Sequence, residues 1–241
     1  MIGRCRPNLP EGRVKKLLIG EKYAIFSPKL QEFGVETLLL PEITEVDPRL
    51  SGHADLAVLT YNDDVFLGGT AGEKIEHELT KLGFNIRKKF NIDSSYPDDA
   101  LLNACVFGKH IIHNSKFSPL STHEGFIGVS QGYSKCNICV VRENAIITSD
   151  FGIAKAAAEQ GIDVLRIESG HIDLPGFDTG FIGGCSFKLA PDLIAFTGNL
   201  DLHPNCCEII TFLEKYGVKS INLSNSRLLD IGSAVLLTEE I

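Results

Sequence analysis

The chain has 241 residues, 44% of them hydrophobic and 22% charged, enough apolar material for one large core. Its net charge of −8 speaks against a nucleic-acid surface, whose phosphate contacts need clustered lysine and arginine, and Arg87-Lys88-Lys89 is the one dense basic run. No apolar run approaches the ~18 residues of a membrane span, and Met1-Ile-Gly-Arg-Cys-Arg-Pro does not resemble a secretion signal, so reduced cysteines in a cytoplasm are expected.

In chain order, the first elements are a strand at Val14–Ile19, a turn at Gly20-Glu-Lys22 and a strand at Tyr23–Phe26. A short helix from Ser27 or Pro28 to Phe33 and a strand at Val35–Leu40 follow. Asp55-Leu-Ala-Val-Leu59 then opens a pattern that recurs. It leads through a turn at Tyr61-Asn-Asp63 and a strand at Val65–Gly69 to a helix near Gly72–Gly83, with Ile75, Leu79 and Leu82 at helical spacing. An extended stretch, Phe84–Phe90, closes the unit.

The second copy begins at Asn103-Ala-Cys-Val-Phe107 and continues with strand His110–His113. Its segment Asn114–Gly132 is rich in Ser, Gly and Pro and reads as a long loop with a short strand at Phe126–Val129. The third opens at Asn137-Ile-Cys-Val-Val141 and runs through strand Ala145–Thr148 to a helix capped by Ser149 or Asp150. Gly161 stops that helix before strand Ile162–Ile167. The fourth starts at Gly183-Gly-Cys-Ser-Phe187, a poorer match, and gives strand Leu193–Phe196, helix Cys206–Tyr216 and strand Val218–Leu223. The fifth, Ser233–Leu237, runs out of chain, and its missing parts are those found before Leu40.

Each unit thus reads strand, strand, helix, strand. The fold expected is α/β: a five-fold pseudo-symmetric propeller in one domain, residues 1–241, closed by pairing the N- and C-terminal strands so that no sheet edge is left open. A doubly wound nucleotide-binding sheet fits less well, because Gly68-Gly-Thr-Ala-Gly72 is too loose a phosphate loop.

Seven cysteines raise the question of a metal. Cys136-x-x-Cys139 is the one spaced pair, and on a strand residues three apart face opposite sides. Cys105, Cys139 and Cys185 read as small core residues, and Cys206-Cys207 as packing at a helix start. Neither a metal nor a cofactor is expected.

Two short segments carry a family resemblance. Gly176-Phe-Asp178-Thr-Gly-Phe181 resembles the His-Leu-Asp-Thr-x-Phe of deiminases, and Tyr96-Pro-Asp-Asp99-Ala resembles their Thr-Arg-Asp-Pro-Phe. With the five units, the chain resembles the pentein fold, the guanidino-modifying enzyme superfamily, as an uncharacterised bacterial branch. The resemblance implies a cysteine nucleophile, a proton-carrying histidine and carboxylates holding a cationic substrate. Asp178 and Asp99 match the carboxylates. The histidine position is Gly176, and the cysteine position, in Asp230-Ile-Gly-Ser233-Ala234, is best matched by Ser233, so the usual catalytic pair is missing.

Gly52-His53-Ala-Asp55 and Gly170-His171-Ile-Asp173 both resemble the Gly-His-x-Asp of agmatine deiminases. His53 and His171 are therefore candidate bases, the plain alternative being loop histidines that bond backbone. Asp55, Asp99 and Asp178 crowded at one axis would call for a cation among them, with Asp173 nearby and Arg227 as a built-in counter-charge. Asn103, Asn137 and Ser233 either line a polar channel or bond to neighbouring strand ends. The preferred function is a non-catalytic or degenerate pentein that binds a small polar or cationic, guanidinium-like ligand, or a protein partner, at an acidic central pocket. The alternative is a divergent hydrolase, deiminase or amidinotransferase acting on a guanidino or amino-acid-like substrate with His53 or His171 as base and Ser233 or a nearby Cys as nucleophile.

Overall fold

The computed structural model describes residues 1–241. From the N-terminus run β1 (Ile2–Arg4), β2 (Arg13–Gly20), α1 (Ser27–Glu32) and β3 (Glu36–Leu40). Then come α2 (Ala54–Ala57), β4 (Val58–Tyr61), β5 (Asp64–Gly68), α3 (Gly69–Lys74), α4 (Glu76–Lys81) and β6 (Asn85–Phe90). The second unit holds β7 (Cys105–Phe107), β8 (His110–Asn114) and β9 (Phe126–Val129), with no helix between its last two strands. The third is α5 (Ser134–Asn137), β10 (Cys139–Arg142), β11 (Ala145–Thr148), α6 (Phe151–Glu159) and β12 (Asp163–Arg166). The fourth is β13 (Ser186–Ala190), β14 (Leu193–Phe196), α7 (Cys206–Lys215) and β15 (Lys219–Asn222), and β16 (Val235–Glu240) ends the chain.

These strands form five separate small sheets: β4-β5-β6, β7-β8-β9, β10-β11-β12, β13-β14-β15 and β1-β16-β2-β3. In each of the four three-stranded sheets the first pair is antiparallel and the second parallel, as a tight turn followed by a crossover requires. The C-terminal strand completes the N-terminal unit: β16 pairs antiparallel with β2, Val235 opposite Leu18, and β2 pairs parallel with β3. The first and last residues also meet, since the Met1 amino group donates to the Ile241 carbonyl at 2.9 Å and the Ile241 N–H donates back to Met1 at 3.1 Å.

The core lies between sheets. One apolar cluster joins Leu18, Leu40 and Leu237 of the terminal sheet to Leu56, Leu67 and Leu79 of the first unit. Others join first to second (Leu59 with Val106 and Ile111), second to third (Cys105 and Ile112 with Ile146), third to fourth (Val141 and Ile147 with Phe196), and fourth to terminal (Leu189 and Ala195 with Leu17 and Ile19). Each cluster joins sheets that follow one another in the chain, with loop residues such as Leu174 packed in as well.

Local signals act as the sequence suggests at several points. Asp150 caps α6 by accepting the Ile153 N–H at 2.8 Å, and Gly161 follows in the left-handed region at φ 77°. Two expectations need correcting. Tyr23–Phe26 lies in a 3-10 turn over Glu21–Phe26, because Tyr23 and Phe26 both turn inward onto the terminal core, which an alternating strand would forbid. The apolar run after Asp55 does not start as a strand: Asp55, Leu56 and Ala57 lie in the single helical turn α2, and β4 begins at Val58.

Candidate functional site

The turns α2 and α5 occupy matching places, each ahead of the first strand of its unit. Asp55 sits three residues before the first residue of β4, and Cys136 three before that of β10. The short turns aim both side chains inward, and they meet. The Cys136 thiol donates to Asp55 Oδ2 at 2.9 Å. Asn103, just before β7, clasps the same cysteine from the second unit: its Oδ1 accepts the Cys136 N–H at 3.1 Å and its Nδ2 lies 3.4 Å from Sγ.

Backbone bonds carry the contact onward. Lys135 N–H donates to the Asn103 carbonyl, Gly184 N–H to Cys136, and Ser233 N–H to Gly184, at 2.8–2.9 Å. Segments from four units therefore interlock around the same point, with Asp55 of the first unit joined through Cys136.

His53 opens α2 and stands edge-on to Tyr23, with ring centroids 6.1 Å apart. Its Nδ1 is 3.9 Å from Asp230 Oδ1. Asp230 accepts the N–H groups of Phe181 at 2.8 Å and Gly232 at 3.0 Å. Two glycines make room for this packing. A Cβ on Gly184 would stand 1.9 Å from Asp230 Oδ1, and one on Gly232 (φ 72°) would stand 2.5 Å from the His53 Cβ.

His53, Cys136 and Asp230 form the polar end of a cavity of about 160 Å³. Leu50, Leu56, Leu174, Phe177 and Phe181 give it apolar walls, and Tyr133 also lines it. The polar groups are almost wholly out of water: His53 is 2% exposed, Cys136 3%, and Asp55 and Asp230 0%. Burial pushes the Asp55 carboxyl up to about 6, partly offset by the Lys135 ammonium, and pushes Asp230 up to about 7 against its two backbone donors. Burial first, and then the two carboxylates, raise the Cys136 thiol well above its ordinary range. The His53 imidazole is driven down to about 3 by burial and then by Lys22. At neutral pH the site therefore holds a protonated thiol and an uncharged imidazole. His53 Nε2 and Asp55 Oδ1 have no hydrogen-bond partner, although such buried polar atoms are nearly always satisfied.

The other candidate residues divide. Asp99 is buried, and Tyr133 donates its hydroxyl proton to it; Asp99 thus reaches the cavity only through that ring. Asn103 belongs to the cluster, whereas Asn137 donates to the Tyr133 carbonyl at 2.8 Å and holds α5 together. Ser233 faces Lys135, whose Nζ donates to its Oγ at 2.8 Å while that Oγ donates to the Ser186 carbonyl at 3.0 Å. It has no contact with the cavity.

The expected crowding of Asp55, Asp99 and Asp178 is corrected by this arrangement. Asp178 is exposed, on a loop tip that Gly176 turns outward at φ 90°. Asp230 stands in the cavity instead. Asp173 and Arg227 are both about half exposed and pair with each other at 3.2 Å, which spends the supposed counter-charge at the surface. His171 lies outside the cavity, against His203 and 3.7 Å from Glu168. Cys136 and Asp230 were not candidates. The sequence pattern aligns Asn137 with Asp55, and it is the helical turn α5 that brings Cys136, one residue earlier, to the contact, while Asp230 lies in no recognisable motif.

Comparison with known proteins bears on the fold. A model of a family of unknown function, DUF6873, matches residues 19–235. Among curated proteins no relative matches. A DDAH from Pseudomonas aeruginosa, solved as a mutant complexed with citrulline, superposes with a TM-score of 0.57 at 12% identity, covering 93% of this chain and 99% of its own. An inosamine-phosphate amidinotransferase from Streptomyces griseus gives 0.57 at 10% identity, over 95% of each chain. An agmatine deiminase from C. jejuni with substrate bound gives 0.54 at 10% identity, over 100% of this chain and 97% of its own. Their common fold is the pentein fold, and this chain has it.

Proposed function

We propose that this chain, which belongs to the family of unknown function DUF6873, binds a small organic cation with an apolar flank, guanidinium-like in shape and charge, between Asp55 and Asp230. One observation carries the reading: Asp230, wholly out of water, lines a cavity with apolar walls and pairs with no lysine or arginine of the chain, and the equally buried Asp55 adjoins that cavity through the Cys136 thiol. Leaving the buried Asp230 carboxylate without a counter-charge is costly, and a ligand cation offsets that cost. The cavity is smaller than the ~300–1,000 Å³ of drug-sized sites, so it suits a cationic head group and not a large cofactor. A protein of the same fold solved with the substrate of an agmatine deiminase supports the ligand class.

The reading takes the five sheets as blades about one axis, with the pocket at the hub. The pairing of β16 with β2 and the sequence of inter-sheet cores support it. Thermal denaturation in guanidino compounds and alkylamines is the test. A ligand at 100 times its dissociation constant stabilises by about 2.7 kcal/mol, or roughly 5–10 °C in a chain of this size. The shift is expected to vanish in Asp230→Asn and Asp55→Asn. Equal shifts in wild type and both variants would refute the site.

A second reading, a divergent hydrolase or deiminase, draws on the Cys136 thiol beside Asp55 and His53. A bound cation between the carboxylates would lower the thiol pKa, and a thiolate could then attack a guanidinium carbon. Turnover abolished in Cys136→Ser but kept in Ser233→Ala would establish it; turnover surviving in Cys136→Ser would exclude it.

A further inference from the structure

We infer that His53, Asp55 and Cys136 together form a binding site for a thiophilic divalent metal ion of the zinc class, with a coordination position left open toward the cavity. The inference does not rest on the organic-cation reading, which needs neither the thiol nor the imidazole. One donor atom from each of the three residues lies within 4.8 Å of the other two, and all three residues are buried. Zinc bonds of ~2.3 Å to sulfur and ~2.0–2.2 Å to nitrogen or oxygen place tetrahedral donors ~3.5 Å apart. The cluster brackets that spacing, with Cys136 Sγ and Asp55 Oδ2 at 2.9 Å and all three donor atoms within 4.8 Å of one another.

A second observation is independent of the clustering. Asp55 Oδ1 and His53 Nε2 are buried lone pairs or donors with no partner in the protein. A ligand that accepts electron pairs answers both unsatisfied atoms directly. Asn103 and Asp230 flank the set: Asn103 fixes the Cys136 backbone and touches its sulfur, and Asp230 lies beside the His53 ring, as outer partners of metal ligands do. Donor chemistry selects the metal class. One thiolate, one imidazole and one carboxylate suit zinc or cobalt and disfavour magnesium and calcium, which want oxygen throughout.

Three protein ligands with a fourth position facing a cavity are the arrangement of reactive zinc sites, whereas structural ones are closed with four. Binding forms the metal–sulfur bond as the thiol proton leaves to solvent, while the carboxylate oxygen and the imidazole nitrogen donate lone pairs; no oxidant or reductant is needed.

Metal-free full-length protein titrated with Co²⁺, and then with Zn²⁺ in competition, tests this. One equivalent is expected to bind with a sulfur-to-cobalt charge-transfer band and the visible bands of four-coordinate cobalt, both erased by zinc. The charge-transfer band disappears in Cys136→Ser and persists in the Cys206→Ser/Cys207→Ser double variant, which controls for the two surface thiols. Asp55→Asn and His53→Gln weaken binding by more than the ~10–100-fold typical of losing an outer partner. Circular dichroism of each metal-free variant separates lost ligation from lost folding. X-ray absorption on the zinc form should find one sulfur in the first shell. No uptake by the wild type, a shell of nitrogen and oxygen alone, or a band that survives Cys136→Ser overturns the assignment. The two proposals share Asp55 and part at the other residues: with thermal shifts read on metal-free protein, Asp230→Asn should abolish the guanidinium shift while the cobalt charge-transfer band remains, and Cys136→Ser should remove the band while the guanidinium shift remains.

Discussion

His113 shows how a buried side chain can matter without taking part in the site. It sits on β8, fully buried, with Nε2 within 2.9 Å of the Gly132 carbonyl and 3.1 Å of the Ala100 carbonyl, so that its ring ties two segments flanking the cavity. Burial drives its pKa down to about 4, the two carbonyls opposing. The unfolded chain would hold that proton near ~6.5, so the neutral form is favoured by folding. The stability this contributes is fully present above about pH 6.5 and is lost as pH falls toward 4. Its size is at most about 3 kcal/mol. Chemical denaturation of wild type and His113→Gln across pH 4–7 should give curves that converge as the solution is acidified; parallel curves would mean that His113 is not the titrating group. The candidate residues taken from the sequence show a similar contrast. His53 and Asp55 were legible because Gly-His-x-Asp is a compact string. Asp230 was not, since its role comes from two glycines that clear space around it, and those are contacts between distant segments. Cys136 was hidden by a strand assignment that α5, one helical turn long, overturns.

At the scale of elements, the loop before β13 is the wall of the cavity with the least structure of its own. Leu174, Phe177, Thr179 and Phe181 come from it. Its base is fixed by backbone bonds to the segment around Leu228 and Asp230. Its tip depends on Arg49, which donates to the Gly176 carbonyl at 2.6 Å and stacks its guanidinium 4.1 Å from the Phe177 ring centre. Arg49 is itself aligned by Asp47. Arg49→Ala should therefore loosen the tip and expose Cys136: in a Cys206→Ser/Cys207→Ser background, its reaction with a thiol reagent is expected to accelerate about tenfold or more. Unfolding temperature should move little, because exposed ion pairs contribute ~0–1 kcal/mol. Unchanged labelling would show that access lies elsewhere. Helix and strand order was readable wherever periodicity was strong, as in α6, α7 and β14. It failed at Tyr23–Phe26, where four residues cannot distinguish a strand from a 3-10 turn, and β1 at Ile2–Arg4 carried no pattern at all.

Across the whole molecule, the pairing of remote segments was the most legible feature, because an incomplete fifth copy at one end matched the surplus elements at the other. The sequence could not reveal how each unit shares its core with the next, since that depends on side-chain packing between sheets. The mutual hydrogen bonds of Met1 and Ile241 have a topological consequence. With its ends already touching, the polypeptide has no privileged starting point, and the order of modules can be shifted cyclically. A permutant that links residue 241 to residue 1 through a few glycines and opens between Asp93 and Ser94, in the exposed connection after β6, should fold to the same circular-dichroism spectrum and melt within a few degrees of the parent. An unfolded or aggregated product would mean that the present ends direct assembly as well as meeting in it.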